Sequence, residues 1–161
     1  MKTNSNLLSK IALAAAIVFS VTLVASCSKK DDAPAQQQVY AISGNASGSQ
    51  ESPPVSGSGS GTINGTYNPN NNQFIYTTTW AGLTTAPLTG GIYAGATGAN
   101  GTIVGEAWTI LSGASVSGSL TDTLTLTSDQ ANQLTAGNFY YTYVTAANPT
   151  GEIRGQIIAT R

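Results

Sequence analysis

Histidine is missing from all 161 residues, and the one cysteine stands at position 27. The first absence excludes imidazole metal sites and every triad that depends on a histidine base. The second excludes a disulfide framework and a thiolate cluster. Charge is also scarce, at 8% of residues. From Val39 onward, Glu51, Glu106, Asp122, Asp129 and Glu152 face only Arg154 and Arg161, a sum of −3. That balance argues against nucleic acid as a partner, because phosphate binding needs clustered Lys and Arg. Phosphate chemistry lacks its parts as well, since the glycines match no P-loop and no Lys follows Lys30. A long apolar run is missing too: Ile11 to Val24, broken by Ser20 and Thr22, is about fourteen residues, short of the roughly 20 that cross a bilayer as a helix. The length sets one domain as the ceiling.

What is there begins with an export signal over residues 1–26. Lys2 and Lys10 give a positive start, the apolar run follows, and the small residues Ala25 and Ser26 precede Cys27. Val24-Ala25-Ser26-Cys27 resembles a bacterial lipobox, which implies that the Cys27 thiol forms a thioether to a glyceryl lipid and becomes the acylated N-terminus. An ordinary secretory signal with an incidental cysteine is the plainer alternative. Several acyl chains on one residue anchor durably where one is marginal, since each buried CH₂ contributes about 0.8 kcal/mol. Ser28, in place of Asp, resembles lipoproteins sent to the outer membrane. Lys29-Lys30-Asp31-Asp32 resembles charged tags for surface display, and reads equally as a solubilising tether. Residues 27–38 then form the acylated cysteine and a polar spacer, with Pro34 and Gln36-Gln37-Gln38 and no apolar periodicity.

Past Val39 the composition turns to Thr, Gly, Ser, Asn, Tyr and Ile, which favours strands and turns. In Gln73 to Trp80 the alternation puts Phe74, Tyr76, Thr78 and Trp80 on one face and Ile75, Thr77 and Thr79 on the other. Comparable segments predict strands near residues 38–43, 61–67, 73–80, 88–94, 102–110, 116–124, 138–145 and 152–159, separated by turn formers such as Asn68-Pro69-Asn70-Asn71-Asn72 and Asn148-Pro149-Thr150-Gly151. Gly57, Gly59 and Gly61 alternate with serines, as a mobile loop or the frayed start of a strand. Thr127-Ser128-Asp129-Gln130 has capping-box spacing and Gly137 is a stop signal, so one short helix is expected near residues 128–136. The expected fold is all-β: an antiparallel sandwich of about seven to eight strands over residues 39–161.

Three segments in order resemble the CHRD domain, the chordin-type module found in many secreted bacterial proteins. They are Gly48-Ser49-Gln50-Glu51-Ser52-Pro53-Pro54-Val55; then Ala81-Gly82-Leu83 with Gly90-Gly91-Ile92-Tyr93 and its glycine-rich exit to Gly101; and Leu134 to Tyr140 with Asn148 to Ile157. The resemblance implies an immunoglobulin-like or superoxide-dismutase-like sandwich. Where the family usually has His-Ile-His this chain has Gly91-Ile92-Tyr93, and where it has Asn-x-His-Thr this chain has Thr142-Tyr143-Val144-Thr145. Any metal or ligand held by those histidines in relatives cannot be held here in the same way.

The candidate binding residues are Glu51, Tyr93, Tyr141, Tyr143, Glu152 and Arg154. Glu152 and Arg154 lie two apart on an expected strand, on one face with Gln156, where a salt bridge fixing the terminal hairpin is the simplest reading and a ligand-binding Arg the sharper one. Trp80, Trp108, Tyr93, Tyr141 and Tyr143 serve either as core or as a stacking platform for sugars or peptide side chains. No catalytic residue and no cofactor is expected. A glycan hydrolase would have to draw on Glu51, Glu106 and Glu152, and a calcium site on Asp122 or Asp129 outside any EF-hand loop. The leading expectation is a non-enzymatic, lipid-anchored envelope protein with a module for an extracytoplasmic protein or glycan. An adhesin that pairs through an exposed edge strand is the third reading.

Overall fold

The computed structural model describes residues 37–111 and 113–161. The expected signal, Cys27 and the spacer as far as residue 36 lie outside the described residues. Within the expected spacer, Gln37 is tied down: its N–H donates to Asn70 Oδ1 and its carbonyl accepts from Asn70 Nδ2, both at 2.9 Å.

The domain is all-β and antiparallel. Eight strands, β1 (Tyr40–Ser47), β2 (Ser60–Asn68), β3 (Gln73–Ala81), β4 (Pro87–Ala94), β5 (Thr102–Val104), β6 (Gly118–Thr125), β7 (Phe139–Thr145) and β8 (Ile153–Thr160), form one sheet in the order β5-β4-β7-β8-β1-β2-β3-β6. The expected sandwich is therefore a single sheet curled over on itself, with β1 and β8 side by side at its middle. The fold-over is driven by aromatic burial, since Leu and Phe are few and rings supply most of the apolar area. Trp80 on β3 and Tyr143 on β7 meet with ring centroids 5.0 Å apart, and the Tyr143 hydroxyl donates to Thr78 Oγ1 at 3.4 Å.

Trp108 closes this core from outside the sheet. It lies 5.0 Å from the Tyr143 ring and 6.1 Å from Tyr76, and its Nε1–H donates to the Tyr76 hydroxyl at 2.9 Å. It sits on a stretch expected to continue a strand to residue 110, yet β5 ends at Val104. Gly105, at φ +76°, takes the left-handed conformation that glycine alone adopts freely and turns the chain out of the ladder. β1, by contrast, runs four residues past its expected end, because Gly44 leaves room for the Gln156 carbonyl of β8, which a Cβ would strike.

The short helix α1 (Ser128–Thr135) bridges β6 and β7 as the capping box predicts. Thr127 Oγ1 accepts from Gln130 N at 3.3 Å, Gln130 Oε1 accepts from Thr127 N at 2.9 Å, and Gly137 follows at φ +76°. Ala131 and Leu134 are its buried residues. Replacing Trp108 by Ala removes the ring that plugs the core where no strand covers it. The expected loss is about 3–5 kcal/mol, checked by urea denaturation.

Candidate functional site

The outward faces of β4, β7 and β8 are not bare. Strand register places Thr142 opposite Arg154 and Tyr140 opposite both Tyr93 and Gln156, all pointing away from the aromatic core. Two loops cover them: residues 48–56, which follow β1, and residues 95–101, which join β4 to β5. Between the loops lies a cleft of about 370 Å³ lined by Glu51, Ser52, Thr97, Arg154 and Gln156. It brings together the three segments that carried the family resemblance.

Arg154 organises this face while only 1% exposed. Its Nη2 donates to the carbonyls of Ala99 at 2.7 Å and Ala96 at 3.1 Å, and its Nη1 to Asn100 Oδ1 at 3.2 Å. The guanidinium lies 3.5 Å from the centroid of the Tyr140 ring, which stacks in turn on Tyr93 at 5.3 Å and 13°. The Tyr140 hydroxyl accepts from Gly101 N at 3.1 Å, and Gln156 Nε2 donates to the carbonyls of Gly95 and Gly137. A cation thus holds the glycine-rich loop through its carbonyl oxygens, by charge-assisted hydrogen bonds stronger than neutral ones.

Glu51 sits beside it, 8% exposed, with Oε1 accepting from Thr142 Oγ1 at 2.6 Å. Burial raises its pKa above the usual carboxylate range, against the opposing pull of the Thr142 hydrogen bond, the Arg154 charge and the Ser52 backbone. Gly151, at φ +131°, leaves room for this carboxylate, since a Cβ there would run into it.

The expected Glu152–Arg154 salt bridge is not formed. β8 begins at Ile153, so the two-residue parity that would align the pair does not reach Glu152. Glu152 is instead buried on its own set of donors: Thr84 N at 2.6 Å and Thr84 Oγ1 at 2.9 Å on Oε1, and Thr145 Oγ1 at 2.6 Å on Oε2. Burial by itself raises its pKa, but the hydrogen bonds from Thr145, Thr84 and Asn148 outweigh burial and hold the pKa below the ordinary value.

The remaining candidates separate. Trp80, Trp108, Tyr141 and Tyr143 are core residues, the two tyrosines fully buried, so they do not form an exposed stacking platform; the curled sheet needs their area more than the surface does. Burial raises the hydroxyl pKa of Tyr141 and Tyr143. Tyr93 alone of the set remains partly exposed, over Tyr140. Glu106 is exposed beside Asp122 in a different cleft against β6, and Asp129 lies in the first turn of α1. Among the described residues no three Cys, Asp or Glu side chains gather as a metal-binding group. A larger cleft of about 520 Å³ near Trp80 and Leu111 has no titratable side chain in its lining. Sequence reasoning missed Thr84, Thr142 and Thr145, the hydroxyls that satisfy the two buried glutamates.

Residues 42–157 match the CHRD domain. The chain belongs to the CHRD family. No curated protein and no solved structure matches it. Gly91-Ile92-Tyr93 falls on β4, where a Cβ on Gly91 would come within 3.3 Å of the Tyr93 ring and 3.4 Å of Ile103. The tyrosine and the isoleucine fill the space beside that strand.

The two glutamates give opposite pH dependences. Glu152, with a lowered pKa, contributes stability that is present above the unfolded value of 4.5 and lost as pH falls through the folded value. Glu51, with a raised pKa, favours the folded state most below 4.5 and loses that contribution as pH rises through its folded value. Glu152→Gln is therefore expected to cost about 1–3 kcal/mol at neutral pH, a cost that shrinks in acid. For Glu51→Gln the cost is smallest at neutral pH and grows in acid. Denaturation of both variants across the acid range checks the two slopes.

Proposed function

We propose that this CHRD protein is a non-enzymatic, lipid-anchored envelope protein, with the acylated Cys27 in the outer membrane and a module for an extracytoplasmic protein or glycan held off the surface by a polar spacer. The observation that carries the reading is the order of positive start, apolar run, small residues and cysteine that ends in Val24-Ala25-Ser26-Cys27. A non-catalytic role is supported by the state of the acids. Glu152 has its donors inside the protein, Glu51 is engaged by Thr142, and Glu106 stands in another cleft. A hydrolase acting through paired carboxylates needs two of them free on one cleft; Glu51 alone of the three lines the cleft above Arg154, and in the other cleft the neighbour of Glu106, Asp122, is engaged by the Tyr76 hydroxyl and the Thr123 N–H.

The binding face in this reading is that cleft, with Glu51, Thr97 and Gln156 among its lining residues and Tyr93 on the same sheet face. Polar groups of mixed sign and neutral hydrogen-bonding capacity suit a peptide or sugar better than a metal ion or an apolar ligand. Cys27→Ala is expected to shift the protein from the membrane fraction to the soluble periplasmic fraction, or to leave it as uncleaved precursor, on fractionation of expressing cells. Processed protein that stays with the membrane overturns the anchor.

A further inference from the structure

Strand parity turns one set of side chains of β2, β3 and β6 into the core and leaves the other on an open face. On that face the register builds straight rows: Thr62 beside Thr79 and Ser119, and Asn64 beside Thr77 and Thr121. Further rows follow along the strands, with Ile75 beside Thr123. The rows are hydrogen-bonded sideways, with Thr62 Oγ1 2.8 Å from Thr79 Oγ1 and Thr77 Oγ1 2.8 Å from Thr121 Oγ1. No charged residue and no aromatic ring stands on this face of the three strands.

Each feature narrows what could bind. A solvent-facing sheet surface commonly carries Lys or Glu among its polar residues; here none stands on three adjacent strands. The outward residues of β2 and β3 line none of the three clefts described above, so the centre of the face is no small-molecule pocket. Without an aromatic ring it offers no stacking surface for sugars, and without charge it offers no anchor for an ionic partner. What it offers is a two-dimensional array in which threonine methyls and hydroxyls predominate, with Asn64 and Ile75 set among them. β-branched threonines are stiff about χ1, and the hydroxyl pairs lock them further. The array repeats at about 4.7–4.9 Å between strands and about 6.4–6.8 Å between outward residues along a strand. A ligand that matches such an array must itself repeat in two dimensions, be uncharged, and both donate and accept hydrogen bonds at each repeat. A crystalline lattice of water meets all three conditions.

We propose that the open face of β2, β3 and β6 binds ice. The inference stands on the threonine array and is independent of the cleft above Arg154. The test uses the purified full-length chain, with ice as the probe: partition of the protein into slowly grown polycrystalline ice, and the shape of single crystals held just below their melting point. The expected result is that the protein enters the ice and facets the crystals, and that Thr77→Lys combined with Thr121→Lys abolishes both effects while the melting temperature is kept. Leu88→Lys, at an exposed position on a different strand, leaves both effects intact. Folded wild-type protein excluded from ice overturns the proposal. So does wild-type activity that survives the double lysine variant, or retention on crystalline cellulose with no effect on ice. If the double variant unfolds, Thr77→Val with Thr121→Val serves in its place, with weakened ice partition expected and unchanged partition overturning the proposal.

Discussion

The face that distinguishes this domain depends on one buried cation. Arg154 is placed under the loop of residues 95–101 with its hydrogen bonds spent on two backbone carbonyls and an asparagine oxygen. A buried guanidinium is costly unless its donors are engaged, and here the loop engages them by curling its carbonyls inward. The same placement holds Tyr140 under the cation, Tyr93 on Tyr140, and Glu51 close enough to be stabilised by its charge. Loop, ring pair and carboxylate are therefore one unit: remove the cation and two carbonyls lose their donors while Glu51 loses its counter-charge.

Much of the architecture was legible from period and punctuation. β2, β3, β4, β7 and β8 fall within a residue of their expected bounds, because β3 alternates cleanly and the Gly, Pro and Asn turn formers near their ends limit the others. The helix was legible because its cap is local chemistry among Thr127, Gln130 and Gly137. Gly44 and Gly105 were read less well. Gly44 looked like a strand end and is a close approach of two backbones, whereas residues after Gly105 looked like strand and leave the sheet. The first outcome is decided by Gln156, far away in sequence, and the second by the backbone of Gly105 itself.

The site was legible by position and not by partnership. Glu51, Glu152 and Arg154 were identified as chemistry-bearing, and each is buried, but the pairing expected from two-residue spacing failed where the strand begins. Glu152 found hydroxyls from Thr84 and Thr145, and Arg154 found carbonyls from a loop more than fifty positions away. Aromatic residues could not be sorted into core and surface by type alone. A chain poor in Leu and Phe spends Trp80, Trp108, Tyr141 and Tyr143 on its interior.

The central claim is that the Arg154 cation holds the 95–101 loop closed over the sheet. Hydrogen exchange of Arg154→Met tests it most directly, because Gly95, Ala99 and Gly101 have N–H groups hydrogen-bonded within or beneath that loop. The account predicts faster exchange at these three amides with the β2–β3 ladder still protected. Unchanged protection in the loop of a folded variant would contradict it.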